Sequence, residues 1–145
     1  MMILNVSYNN REIKDKIKEQ VGRPFRLMDK IRNGYYGSQR FLIMQCSQEI
    51  ENLLKLDNNL NHCNIELRDR GIIVRFRSIL NTYGWIIPYE KLQIFNYTNY
   101  YALFAEEHFV KIKPAHNELL NHTFFQKLND LKDTRLKHLP TQKIN

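Results

Sequence analysis

Asn64-Ile-Glu-Leu-Arg-Asp-Arg-Gly-Ile-Ile-Val-Arg-Phe-Arg77 is the stretch on which the fold turns. Ile65 and Leu67 alternate with Glu66 and Arg68. The turn Asp69-Arg70-Gly71 follows, and Ile72, Val74 and Phe76 then alternate with Arg75 and Arg77. Period-two alternation on both sides of a short glycine-bearing turn is the pattern of an antiparallel hairpin with one buried face.

Further strands are expected downstream at 84–95, 100–105 and 109–113, with Leu92, Ile94, Val110 and Ile112 on the buried parity. The separating turns read as Asn81-Thr82-Tyr83, Asn96 to Asn99 and Glu106-Glu107-His108. Pro88 removes a ladder donor from the long third strand, so an edge, bend or bulge is expected there. Beyond Pro114, Leu120, Phe124, Leu128 and Leu131 predict a helix from about Asn117 to Lys137 that aims one face at the sheet.

Upstream, the chain reads as strand, helix, hairpin, helix. Ile3, Leu4 and Val6 suggest an opening strand. Asn9 or Asn10 caps a helix whose stripe is Ile13, Ile17 and Val21, and which Gly22 and Pro24 end. Two strands, 25–29 and 40–44, are expected around a loop at 32–38, and a helix from Ser47 to Leu56. The expected fold class is α+β: an antiparallel β-meander forming a partly closed barrel or curved sheet, with a C-terminal packing helix. It forms a single domain over 1–145, made of an αβ segment (1–60), a meander (61–114), a helix (115–138) and a tail (139–145).

The 145 residues are 43% apolar and 26% charged, with a net charge of +7, which fits one globular domain and excludes a disordered chain. Basic residues are spread evenly, ten in 1–60 and twelve in 61–145, so no basic tail stands out. Without an apolar run long enough to span a bilayer or a signal-peptide pattern, a cytoplasmic location is expected. Cys46 and Cys63 then read as two reduced thiols.

The opening hairpin, the segment Trp85-Ile-Ile-Pro-Tyr-Glu-Lys-Leu92 and the final amphipathic helix resemble the bacterial pleckstrin-homology-like (PH-like) domains over residues 64–135. The resemblance implies seven strands closed by the helix, two of them drawn from residues 25–44. It also implies a binding or scaffolding platform with no one ligand.

On the polar parity of the meander lie Arg68, Arg75, Arg77, Lys91, Lys111 and Lys113, with Trp85, Tyr89 and Phe109 among them. Cations interleaved with aromatics suit single-stranded nucleic acid, whose phosphates want charge and whose bases want ring faces. A solvated sheet face explains the same pattern. Gly34-Tyr35-Tyr36-Gly37 reads as a glycine-bracketed turn presenting Tyr35 and Tyr36 as contact residues. Glu106 and Glu107 read as a solvated turn beside His108. No spacing points to a metal, a cofactor or a catalytic motif.

The expectation is therefore a non-enzymatic binding module. Its partner is a protein or a second copy of itself, met at Tyr35 and Tyr36 or at the sheet edge near Trp85 and Tyr89. Single-stranded nucleic acid on the basic face is the alternative. A membrane lipid ranks below both, because the Asp69-Arg70-Gly71 turn is too short to wrap a headgroup.

Overall fold

The computed structural model describes residues 2–26, 36–55, 61–115 and 118–139. Among them, eight strands form one antiparallel sheet: β1 (Met2–Asn5), β2 (Phe41–Cys46), β3 (His62–Leu67), β4 (Gly71–Ser78), β5 (Asn81–Pro88), β6 (Gln93–Asn96), β7 (Tyr101–Ala105) and β8 (His108–Pro114). Their spatial order is β1-β5-β4-β3-β2-β8-β7-β6, which leaves the sheet open with β1 and β6 at its edges. Three helices accompany it: α1 (Arg11–Val21), α2 (Gln48–Leu54) and α3 (His122–Lys137). A single 3-10 turn, Tyr89–Lys91, joins β5 to β6.

Register aligns Ile65 with Val74 and Val74 with Trp85, so alternate apolar residues of β3, β4 and β5 share the inner face. Tyr101, Leu103, Val110 and Ile112 from β7 and β8 belong to the same buried cluster, so the sheet curls around one core. Helix α3 closes this core with Phe124, Phe125 and Leu128. The Phe125 ring stacks on Tyr101 with 3.6 Å between centroids. Helix α2 adds Ile50 and Leu54, and the Ser78 hydroxyl donates to the Leu53 carbonyl.

A second, smaller core lies on the outer face. Ile17 and Val21 of α1 pack on Ile73 of β4 and Ile86 of β5, with Met2, Leu4 and Val6 alongside. Burying an isoleucine contributes roughly 1.5–3 kcal/mol, so Ile17, Ile73 and Ile86 are leading contributors to holding α1 on the sheet. At the start of α1, Asn10 Oδ1 accepts from the Glu12 and Ile13 amides at 2.9 and 3.4 Å. At its end Gly22 has a φ of 92°, which favours glycine, and a Cβ there would lie 1.8 Å from Asp69 Oδ1.

Several expectations change. The strand at 40–44 exists as β2, but its neighbours are β3 and β8. Phe25 and Arg26 are not in a strand, and the rest of 25–29 lies outside the described residues. The hairpin of 72–78 turns at Ile79-Leu80, because Ser78 pairs with Asn81, and Asn81 to Tyr83 belong to β5. The expected strand 84–95 is two strands separated by the 3-10 turn after Pro88, which shifts the alternation between them. Helix α3 begins at His122 and not near Asn117. Gln39 anchors the preceding segment, accepting from the Asn121 amide at 2.7 Å and donating to the Leu119 carbonyl at 3.1 Å.

Candidate functional site

The nine anion- or nucleic-acid-binding candidates do not share one surface. Trp85 and Tyr89 are core residues, 1% and 0% exposed. The phase shift at Pro88 turns Trp85 inward opposite Val74, and the Tyr89 hydroxyl donates to the Arg68 carbonyl at 2.5 Å. Burial first, and then the Asp69 charge, push the Tyr89 phenol above its ordinary range.

Arg68 is buried. Its Nη1 donates to the Gly22 carbonyl at 2.8 Å, at the end of α1, and its Nε donates to Glu66. Arg70 completes the same cap, donating from Nη2 to the Lys18 carbonyl at 2.6 Å. Cations at a helix C-terminus complement its dipole, so these arginines hold α1 in place. Arg75 is half-buried and donates to the other Glu66 oxygen at 2.7 Å. Burial works to raise the Glu66 carboxyl, but the charges and hydrogen bonds of Arg75 and Arg68 outweigh it and hold the pKa below the usual value. Arg77 is exposed and donates to the Ile79 carbonyl at 3.3 Å. Lys91 sits on the 3-10 turn and pairs with Glu106 at 3.0 Å.

The contact-loop reading is corrected in the same way. Tyr36 is 7% exposed, stacked on Phe25 at 3.8 Å between centroids, with Lys127 Nζ 4.8 Å from the ring centre. Tyr35 lies outside the described residues.

What remains together is Phe109, Lys111 and Lys113, all on the outer parity of β8. Two aromatics that sequence reasoning did not single out complete a ladder across the last three strands. Phe109 stacks on Phe104 of β7 at 5.3 Å between centroids, and Phe104 meets Phe95 of β6 edge-on at 5.4 Å. Phe95 is 45% exposed, as is Tyr97, whose ring stacks on Tyr100 at the β6–β7 turn. The available signal was charge. Gln93 to Ala105 contains no Asp, Glu, Lys or Arg over thirteen residues, in a chain that is 26% charged. Tyr101, Ala102, Leu103 and Ala105 of this run are core, so the part of it that leaves the surface without charge is Gln93 and Phe95 to Asn99.

Two constellations are structural. Ser47 Oγ lies 3.3 Å from His108 Nδ1, and His108 Nε2 lies 3.8 Å from Glu49 Oε2. Ser47 and His108 are both more than nine-tenths buried, and the Ser47 hydroxyl accepts from the Phe109 amide at 3.4 Å, which pins α2 to β8. His108 is thus not part of a solvated turn, although Glu106 and Glu107 are exposed. Cys46 and Cys63 are free thiols pushed up to about 11 and about 12 by burial, with the Glu51 charge adding to the first. Both stay protonated and unreactive near neutral pH.

Among the described residues, no three His, Cys, Asp or Glu side chains gather as metal ligands, and no helix is long and apolar enough to cross a membrane. No protein-family model, no curated protein and no solved structure matches this chain.

Proposed function

We propose that the chain is a non-catalytic scaffolding module with a PH-like sheet, and that it pairs with a second copy of itself through β6. The PH-like reading is supported by β2 to β8, seven strands lying in the order β5-β4-β3-β2-β8-β7-β6 and followed by α3. Strand β1 with α1, and helix α2 after β2, are additions to that plan.

The observation that carries the docking reading is the open edge strand β6, at the start of the charge-free run Gln93–Ala105, with a half-exposed Phe95. Lysine and proline are among the devices that blunt natural edges, and the four residues of β6 include neither. About a two-fold axis perpendicular to the sheet, β6 would pair antiparallel with its counterpart. The two Phe95–Phe104–Phe109 ladders would then form one continuous stripe, the self-complementary contact that a two-fold dimer requires. The +7 charge of each copy opposes association weakly, because salt screens it within about 8 Å at physiological ionic strength.

Sedimentation velocity from about 1 to about 300 µM tests this, the span over which weak dimers dissociate. The native chain shifts to a dimer with concentration, while Phe95→Lys stays monomeric with an unchanged far-ultraviolet circular dichroism spectrum. A native chain that stays monomeric throughout overturns the reading.

A second reading has its own support: Lys111 and Lys113 share the outer face with the three rings, the chemistry that single-stranded nucleic acid uses. A high ratio of absorbance at 260 to 280 nm at low salt, lost after a high-salt wash and absent in Lys111→Glu/Lys113→Glu, would favour it.

A further inference from the structure

We propose that the groove between α1 and the outer face of β3 and β4 is a binding site for an organic anion with an apolar body. The groove encloses about 490 Å³, within the range of small-molecule sites. Ile13 and Ile17 of α1 and Val6 form its apolar lining. Lys14 and Lys18, one helical turn apart, line it from α1, Arg23 from the segment after the helix, Arg68 from the turn between β3 and β4, and Arg75 from β4. Tyr8 stands at its margin, 77% exposed.

Five cations therefore line a partly apolar groove, and two of them, Arg68 and Arg75, are already held by Glu66. Asp69 lies further off, beside Gly22. Lys14, Lys18 and Arg23 form no ion pair among the described residues. Placing Lys14 and Lys18 at i and i+4 costs α1 stability through like-charge repulsion. An anion placed between them would relieve that repulsion, while its apolar part would cover Ile13 and Ile17. A small hydrated anion would leave the apolar lining wet, and a neutral amphiphile would leave the lysines unpaired. The site therefore selects for charge and apolar surface in one molecule, a carboxylate or phosphate ester carrying an alkyl or aryl group.

Octyl phosphate, added to the full-length chain below its micelle concentration and followed by two-dimensional nitrogen–proton spectra, tests the site. Inorganic phosphate and neutral octyl glucoside are the controls. Saturable shifts confined to the Val6–Arg23 segment, Arg68 and Arg75 are expected, with either control at least tenfold weaker. Lys14→Gln/Lys18→Gln should weaken octyl phosphate at least tenfold. The charge-matched pair Lys16→Gln/Lys137→Gln, on exposed positions outside the groove, should leave it within twofold. Equal losses in the two double variants, or no saturation by octyl phosphate, overturn the proposal. The readout does not depend on the oligomeric state, so it stands or falls separately from the β6 dimer.

Discussion

Over β1, β5 and β4 the outer face of the sheet carries Leu4, Gly84, Ile86 and Ile73, and α1 lies across it. Over β6, β7 and β8 it carries Phe95, Phe104 and Phe109 with Lys111 and Lys113, and Phe95 stays 45% exposed. Each half belongs to a sheet whose inner face is already filled. The covered half is smooth enough for a helix. A Cβ on Gly84 would come within 3.1 Å of Ile73 Cγ2 and 3.4 Å of Val6 Cγ1, so the bare glycine leaves room for the side chains that pack beneath α1. The bare half is ridged by rings, and among the described residues no helix covers it. The covered half adds a second core to the sheet; the bare half leaves Phe95 exposed.

Substitutions should separate the two halves clearly. Ile17→Asp puts a charge into the α1 core, where Ile17 is 5% exposed, and should cost about 3–5 kcal/mol. Phe95→Lys, on the bare half, should change stability by less than about 0.5 kcal/mol in the monomer. Urea titrations at low concentration compare them, and equal costs would erase the distinction.

Gly22→Ala comes next. It combines a left-handed backbone with a blocked Cβ and should cost about 2 kcal/mol, accompanied by loss of amide protection along α1.

Glu66→Gln should cost about 2 kcal/mol at pH 7, because it strips two partly buried arginines of their shared counter-charge. The carboxyl titrates below its ordinary 4.5 in the folded chain. Its contribution is therefore complete above pH 4.5 and is lost as the pH falls through the lowered value. Thermal melts between pH 7 and 3 should show a shallower acid loss in Glu66→Gln than in the native chain.

The smallest effect is a gain. Ile79 has a φ of 52° at an exposed turn, a conformation that a β-branched residue tolerates poorly. Ile79→Asn should add about 1 kcal/mol.

The antiparallel strands and the final helix were legible because Ile65, Leu67, Val74 and Phe76 keep strict alternation, and Phe124 and Leu128 keep helical spacing. The Gly22 stop was legible too, and the cap was narrowed to Asn9 or Asn10, since both are local backbone chemistry; the structure selects Asn10. What failed was phase and partnership. Carrying parity across Pro88 turned Trp85 and Tyr89 outward, whereas the 3-10 turn rephases the chain there. Arg68 and Arg75 were grouped with Arg77, Lys111 and Lys113 as one free basic face because nothing local shows that Glu66 pairs with both. Nor does local sequence show that α1 ends beneath Arg68. The Phe95 ladder was missed because cross-strand neighbours are far apart in sequence, although the charge-free run from Gln93 marked it.

The most direct test of the account compares the two sheet edges by amide hydrogen exchange in dilute and concentrated solution. Strand β1 packs on both faces, whereas β6 leaves Phe95 bare. The account predicts that protection of Gln93–Asn96 rises with concentration, while that of Met2–Asn5 stays constant. Protection at both edges that is indifferent to concentration would contradict it.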